Sequence, residues 1–201
     1  MSSKVEICNL ALGAIGQGSI NSMAEASVQA QECTRLFSHT LEVLLRQFPW
    51  NFATKSVLLG ETSVETQGWT YTYVYPSNAL FIRKVFAADS INTEIPNPFE
   101  IVSSGNERYV CCDIYQAYAK YTMKITDVTV LDPLFVDAFA YRLAMSISVA
   151  ISNNPSLTKQ AASLFQQAIG SAQLAGAIEG AEPKTPNQQP RSARDYIMRR
   201  R

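Results

Sequence analysis

The segment at residues 45–52, Leu-Arg-Gln-Phe-Pro-Trp-Asn-Phe, constrains the fold of this chain more than any other segment. It closes a long amphipathic helix, because the backbone of the residue before a proline is pushed out of the helical region. Pro49 therefore ends that helix, and aromatic side chains at positions 48, 50 and 52 cluster around the end. The pattern predicts a helix that passes through an aromatic cluster directly into a strand.

A second block, at residues 132–151, predicts another amphipathic helix. Asp132 is a strong N-cap, and Pro133 is favoured at the first helical position, where a missing N–H costs nothing. Apolar residues then recur at helical spacing. The predicted inward face consists of Val136, Phe139, Ala140, Leu143, Ile147 and Ile151.

Three more segments have helical periodicity, near residues 3–15, 23–48 and 156–179. With the helix at 133–152 they predict an antiparallel bundle. Ser22 is expected to cap the second helix with Glu25 completing a capping box, and Ser156 is expected to cap the fourth. The predicted bundle core consists of Phe37, Leu41, Leu44, Phe139, Leu143, Ile147, Leu164 and Phe165.

The stretch between these helices, residues 52–125, predicts antiparallel β structure. Residues 69–75 alternate aromatic side chains with Thr and Val, the period-2 pattern of a strand. A turn at Ser104–Glu107 predicts a hairpin. Further strands are expected at 80–86, 99–102, 109–112 and 115–123.

The composition limits the class of protein. The 201 residues are enough for one domain with its own core. Apolar residues make up 47% and charged residues only 17%, so not every large surface needs to face water. A permanent oligomer and a merely polar surface both explain this composition. The formal net charge of +0 predicts no general preference for nucleic acid or membrane.

The cysteines and the N-terminal residues indicate the cellular compartment in which the protein is made. Cys8, Cys33, Cys111 and Cys112 do not have the spacing of a disulfide framework. The N-terminal residues lack the apolar region of a signal peptide, and no apolar run approaches the ~20 residues that span a bilayer. We therefore expect a soluble protein that is made in a cytoplasm.

Few residues offer catalytic or metal chemistry. His39 is the only histidine, and Cys33 points in a different direction on the same helix, so we expect a surface or interface histidine. Cys111 and Cys112 have no second pair at metal-ligand spacing, and neighbouring strand residues point to opposite faces. We expect one of them in the core and one on the other face. No catalytic residue, cofactor or metal is predicted.

Three weaker patterns have structural explanations. Gly13–Gly18 is glycine-rich, but a phosphate loop opens a helix, whereas these glycines close the first helix, which Ser2 or Ser3 can cap. Asp127, Asp132 and Asp137 could bind a cation, but helix capping and the helix dipole also favour acids there. The aromatic row at 69–75 could stack bases. Because basic residues do not interleave it, a face covered by helices or by a neighbouring subunit is favoured.

The chain is expected to form one domain at residues 1–182, with the bundle at 1–50 and 130–180 and the β insert at 51–128. At 183–201 the composition changes to Pro, Gln, Asn, Ser and Arg, which cannot build a core and predicts an extended arm. The last 21 residues contain six basic and two acidic side chains, a charge of +4. A solvated terminus and an arm that orders on a partner both remain open.

Four blocks, at residues 7–16, 44–52, 69–78 and 132–144, carry a family resemblance. They read ICNLALGAIG, LLRQFPWNF, WTYTYVYPSN and DPLFVDAFAYRLA. Their order and spacing, over about residues 3–180, resemble the tail tubular protein A family, the head-to-tail adaptors of T7-like podoviruses.

The resemblance implies a non-enzymatic protein of the virion tail, located at the head–tail junction and made in the cytoplasm of a host bacterium. Members form a ring, typically of about twelve copies, below the portal protein. The ring holds the tail nozzle below it, and DNA passes through its lumen without sequence-specific binding. No membrane is implied, and the implied fold is a helical bundle with a β-rich part.

The arm is expected to dock on the portal. Its apolar residues would anchor it, and its arginines can pair bidentately with carboxylates. A competing interpretation is that the arginines bind DNA phosphates. The predicted portal-binding residues are Arg191, Arg194, Tyr196, Ile197, Met198, Arg199, Arg200 and Arg201.

Two other functions remain as alternatives. A virion-associated hydrolase of the cell wall would need an acid or base, such as Glu42 or Asp113, with a raised pKa in a cleft. A DNA-binding accessory protein would use the arginine-rich arm.

Overall fold

The computed structural model describes residues 3–88, 97–152 and 154–179. Within them the fold is α+β, as predicted, with four α-helices and six strands. The helices are α1 Lys4–Ala14, α2 Val28–Gln47, α3 Pro133–Ile151 and α4 Pro155–Glu179. The strands are β1 Thr54–Leu58, β2 Tyr71–Val74, β3 Ala79–Phe86, β4 Glu100–Ser104, β5 Glu107–Cys112 and β6 Tyr118–Met123.

Side-chain caps begin α1 and α3 where the sequence predicts them. The Ser3 hydroxyl accepts from the N–H of Glu6, and the Glu6 carboxylate accepts from the N–H of Ser3. One carboxylate oxygen of Asp132 accepts from the N–H groups of Leu134 and Phe135. These bonds satisfy N–H groups that have no partner inside the helix.

The glycine-rich segment ends α1, as predicted. Gly16 has φ +67, and its N–H bonds to the carbonyl of Gly13 at 3.1 Å. The N–H of Gln17 bonds to the carbonyl of Leu12 at 3.0 Å. This pair of bonds is the Schellman motif, in which a left-handed residue closes the helix.

The predicted cap of α2 was wrong. The helix begins at Val28, and the hydroxyl of Ser27 accepts from the N–H of Ala30 at 3.3 Å. Ser22 and Glu25 instead form a separate turn, in which the N–H of Glu25 bonds to the carbonyl of Ser22. A Ser-x-x-Glu spacing suits an isolated turn as well as a helix start, so the spacing alone did not locate the cap.

The predicted cap of α4 was also wrong, by two residues. Pro155 occupies the first helical position, which suits its fixed φ. The side chain of Asn154 therefore precedes it and accepts from the N–H of Ser156 at 3.0 Å.

The bundle is built around α3, which packs against α1, α2 and α4. All of the predicted core residues are buried except Leu164, which is half-buried. The buried stripe of α4 comprises Ala161, Phe165, Ile169 and Ala172. Leu164 lies beside this stripe, and Ile169 takes the core position instead.

The helix α3 differs from the expectation that no apolar segment is long enough to span a bilayer. In the described ranges it is the one helix long and apolar enough to cross a bilayer, with a mean hydropathy of 1.6. The sequence reading missed this because Asp137 and Arg142 interrupt the apolar run. Half of the stretch is buried against the rest of the protein, as in the core helix of a bundle.

The strands form two antiparallel three-stranded sheets, ordered β1-β6-β3 and β2-β5-β4. Side chains from both sheets share a second core that includes Tyr73 and Tyr75 of the aromatic row. The expectation that helices cover this row was therefore wrong, because the other sheet covers Tyr73 and Tyr75. The turn between β4 and β5 is the predicted hairpin, and Gly105 has the positive φ (+61) that such tight turns require.

Candidate functional site

The aromatic cluster joins the end of α2 to the start of α3. Trp50 is only 2% exposed, and its indole N–H donates to the carbonyl of Leu44 at 3.0 Å. The ring of Phe135 lies 4.8 Å from that of Trp50 and 5.0 Å from that of Phe52. Edge-on contacts at these distances stabilise aromatic pairs beyond their buried area. The block at 44–52 therefore packs directly on the block at 132–144.

The last turn of α4 also contacts this cluster. The side-chain amide of Asn51 donates to the carbonyl of Gly176 at 2.9 Å and to the carboxylate of Glu179 at 3.4 Å. The Cα of Gly176 faces the cluster, since a Cβ built there would lie 3.6 Å from the Phe48 ring and 3.9 Å from that of Trp50. Residues that are distant in sequence thus form one surface.

A cleft of about 440 Å³ opens at this surface, and we call it the terminal cleft. Its size is within the range of small-ligand sites. Its walls combine apolar groups with two carboxylates, and Ile178 at its edge is 68% exposed. The residues that define it are Trp50, Phe52, Asp132, Ala175, Ile178 and Glu179.

The outer face of α4 has no charge over most of its length. Between Lys159 and Glu179 the sequence contains no Asp, Glu, Lys or Arg. Exposed positions on this face are small or polar, apart from Leu174 at 64% and Ile178 at 68% exposure. A charge-free exposed helix face is typical of the core of a protein interface, where charged residues are depleted.

Arg83 connects the first sheet to the bundle, and sequence reasoning missed it. Its guanidinium donates to the carbonyls of Arg46 at 2.9 Å and Phe48 at 3.0 Å, at the end of α2. It also donates to the hydroxyl of Thr122 on β6 at 2.9 Å. Burial, followed by the nearby charge of Arg46, lowers the pKa of Arg83. A cation at a helix C-terminus donates hydrogen bonds to the free carbonyls and interacts favourably with the partial negative charge of the helix dipole there.

The structure does not bring His39 and Cys33 together. His39 is exposed on α2, which confirms the expected surface histidine, whereas Cys33 is buried. The hydrogen bond of Cys8 with Cys33, followed by burial, raises the pKa of the Cys8 thiol. The same hydrogen bond lowers the pKa of the Cys33 thiol, but Cys33 is completely buried and lies out of reach of a substrate and of the exposed His39.

Cys111 and Cys112 are both completely buried. Cys112 belongs to the core between the sheets, and burial raises the pKa of its thiol. Cys111 pairs across the strands with Thr72, whose hydroxyl bonds to that of Thr66 on the same covered side. The two cysteines thus occupy different faces, as predicted, but both faces are covered. Over the described ranges, groups of three or more His, Cys, Asp or Glu that could hold a metal are absent.

The acidic candidates for hydrolysis lie in separate elements. Glu42 of α2 forms an ion pair with Lys124 at 2.6 Å. Asp113, after β5, accepts from the N–H of Thr70 at 2.9 Å and from its hydroxyl at 2.8 Å. These hydrogen bonds lower the pKa of Asp113, the opposite of the shift that a catalytic acid needs.

Two of the remaining acidic candidates, Asp127 and Asp132, behave as caps. Asp127 accepts from the N–H of Thr129 at 2.9 Å and from its hydroxyl at 2.7 Å, which lowers the pKa of Asp127. Asp132 caps α3, and Asp137 is exposed on that helix. The predicted portal-binding residues, Arg191, Arg194, Tyr196, Ile197, Met198, Arg199, Arg200 and Arg201, lie outside the described residues.

No protein-family model matches the chain, and no curated protein sequence is significantly similar to it. The resemblance to phage adaptors therefore rests on the residues of the four blocks, on their order and on their spacing.

Proposed function

We propose that this chain is a structural head-to-tail adaptor of a phage virion, similar to tail tubular protein A. Copies of it, about twelve, assemble into a ring below the portal protein, hold the tail nozzle and surround the path of the DNA. The proposal includes no enzymatic activity, cofactor or membrane contact.

The outer face of α4 is the observation that supports ring assembly most. Residues 160–178 of this helix include no charged side chain, and Leu174 and Ile178 expose apolar surface to water. Exposed apolar surface of this kind is typical of protein interaction sites. A neighbouring subunit that covers this face would bury those side chains without leaving an unpaired charge. Small residues on the rest of the face allow a close approach.

A cyclic ring uses two different surfaces of each subunit, one of which fits the other on the next copy. In the proposed arrangement α4 is one of these surfaces, and the β sheets lie on the outer or lower side of the ring. The lumen is not strongly basic, because phosphate contacts accumulate affinity quickly and would hold the passing DNA. The C-terminal arm docks on the portal.

Electron microscopy of the purified protein mixed with its portal tests the proposal. We expect rings stacked on the portal. The double variant Leu174→Asp, Ile178→Asp should keep its fold, because both side chains are exposed, but it should lose the rings, because each interface would bury two carboxylates without partners.

The double variant Val74→Asp, Ile101→Asp is the matched control, since both are exposed apolar residues, Val74 at 51% on β2 and Ile101 at 40% on β4. It adds the same two charges away from α4 and should leave ring formation intact. A protein that stays monomeric with the portal and hydrolyses cell wall would contradict the adaptor proposal. Rings that persist in the double variant would exclude α4 as the interface.

A further inference from the structure

We propose that the terminal cleft is the docking site for the chain's own residues 194–199, within the same subunit. This inference concerns the isolated subunit and does not depend on ring formation. It assigns an occupant to the cleft in the free subunit, before a neighbouring copy covers Ile178 and before the arm docks on the portal.

The path of the chain supports docking within one subunit. α4 ends at Glu179, which forms part of the cleft, and residues 180–201 follow it directly. The roughly fifteen residues to Arg194 can span up to about 50 Å when extended, far more than a return to the cleft requires. A tethered segment has an effective concentration of about millimolar, so weak contacts are sufficient to seat it.

The chemistry of the cleft matches that of the segment. The cleft combines the rings of Trp50 and Phe52 and the side chain of Ile178 with the carboxylates of Asp132 and Glu179. Residues 194–199 read Arg-Asp-Tyr-Ile-Met-Arg, an apolar triplet between two arginines.

The apolar triplet can cover the exposed aliphatic edge of the cleft, while arginines pair with the two carboxylates. The one acid in the segment, Asp195, is outnumbered by Arg194 and by the arginines at 199–201. The charges of the cleft and of the segment are therefore complementary.

Gly176 keeps space in the cleft at a cost to the helix. A glycine inside a helix lowers the stability of the protein by about 0.5–1 kcal/mol relative to an alanine at the same position. An alanine would fit here, because its Cβ would meet the rings of Phe48 and Trp50 at ordinary contact distances of 3.6 and 3.9 Å. The missing methyl group leaves a methyl-sized space beside the rings of Phe48 and Trp50 in the wall of the cleft.

Site-specific photocrosslinking of the full-length chain, without portal, tests the docking. The photoreactive aromatic residue p-benzoylphenylalanine replaces Tyr196, and mass spectrometry locates the crosslinks. We expect crosslinks to peptides that contain Trp50 or Ile178, in material with the mass of one subunit. Crosslinks spread over the surface, or found only in dimers, would overturn docking within one subunit.

A pair of variants sharpens the test. Ile178→Ser should lower the yield of this crosslink roughly tenfold, the effect of losing about 1.4 kcal/mol of contact free energy. Val149→Ser also replaces an exposed aliphatic side chain, 71% exposed on α3, by a hydroxyl, and it should leave the yield unchanged. An equal yield in both variants would contradict the proposal.

A second measurement leaves the cleft unmodified. In a Trp69→Phe background the emission reports Trp50 alone, because the chain contains two tryptophans. Ile197→Asp should shift the emission of Trp50 to longer wavelength, because water replaces the segment in the cleft beside the Trp50 ring. Gln188→Asp is the control in the same arm and should not change the emission; equal emission in both would count against the docking.

Discussion

The side chains in the core of the bundle are buried almost completely, so single core positions make large contributions to stability. Leu143, in the middle of α3, has no exposed surface, and its neighbours Phe139 and Ile147 have none either. Interiors are packed as densely as organic crystals, so a deleted side chain leaves a cavity that the surroundings fill only in part.

Leu143→Ala should lower the free energy of unfolding by about 2–5 kcal/mol, through lost burial and the cavity left behind. Denaturant unfolding monitored by circular dichroism measures this change. Leu174→Ala removes the same atoms from a side chain that is 64% exposed and should change the monomer by no more than about 0.5 kcal/mol. Similar losses in the two variants would show that the helix faces are assigned wrongly.

The elements meet at defined joints, and Arg83 is the joint between the first sheet and α2. Its guanidinium bonds to carbonyls at the end of α2 and to Thr122 on β6. Phe81, two residues earlier on β3, lies under two cations, with the guanidinium of Arg83 at 4.8 Å and that of Arg46 at 4.9 Å. Hydrogen bonds from a charged donor are stronger than neutral ones.

Arg83→Met should lower the free energy of unfolding by about 1–3 kcal/mol, because half-buried carbonyls at the end of α2 lose their donor. Hydrogen exchange should show faster opening at the C-terminus of α2. Arg46→Met is the matched control, since Arg46 lies over the same ring but, in the described residues, donates no hydrogen bond to those carbonyls. Equal effects in both variants would mean that the ring contact, not the hydrogen bonds, joins the elements.

The whole molecule consists of two cores, one in the helical bundle and one between the sheets, and Met123 packs against both. The uncharged face of α4 lies on the bundle. If subunits associate through this face, apolar burial rather than charge attraction holds the ring together.

Ring stability should therefore change little between about 0.05 and 0.5 M NaCl, because salt screens charge pairs but not apolar contacts. Mass photometry of the assembled rings over this range of salt measures the result. Docking of the arginine-rich arm on a partner should weaken over the same range, which gives an internal comparison. Rings that dissociate as salt rises would indicate an interface of charge pairs.

The local sequence determined the ends and types of most elements. Pro49 ended α2, Asp132 and Pro133 began α3, and Gly16 closed α1. These signals act between residues within about one helical turn, so they can be read without knowledge of the rest of the chain. Ahead of α2 the local signal misled, because the Ser-x-x-Glu spacing predicted a cap at Ser22, whereas Ser27 caps the helix.

Only the tertiary structure decided what depends on residues distant in sequence. β1 pairs with β6, which is far from it in sequence. Such long-range pairing divides the strands into two sheets, and the first sheet then covers Tyr73 and Tyr75 of the aromatic row. The terminal cleft depends on Asn51 bonding to the carbonyl of Gly176, and the joint at Arg83 depends on a strand meeting a helix end. Periodicity and capping report the conformation of a segment, whereas a cleft or a joint exists only once separate segments have packed together.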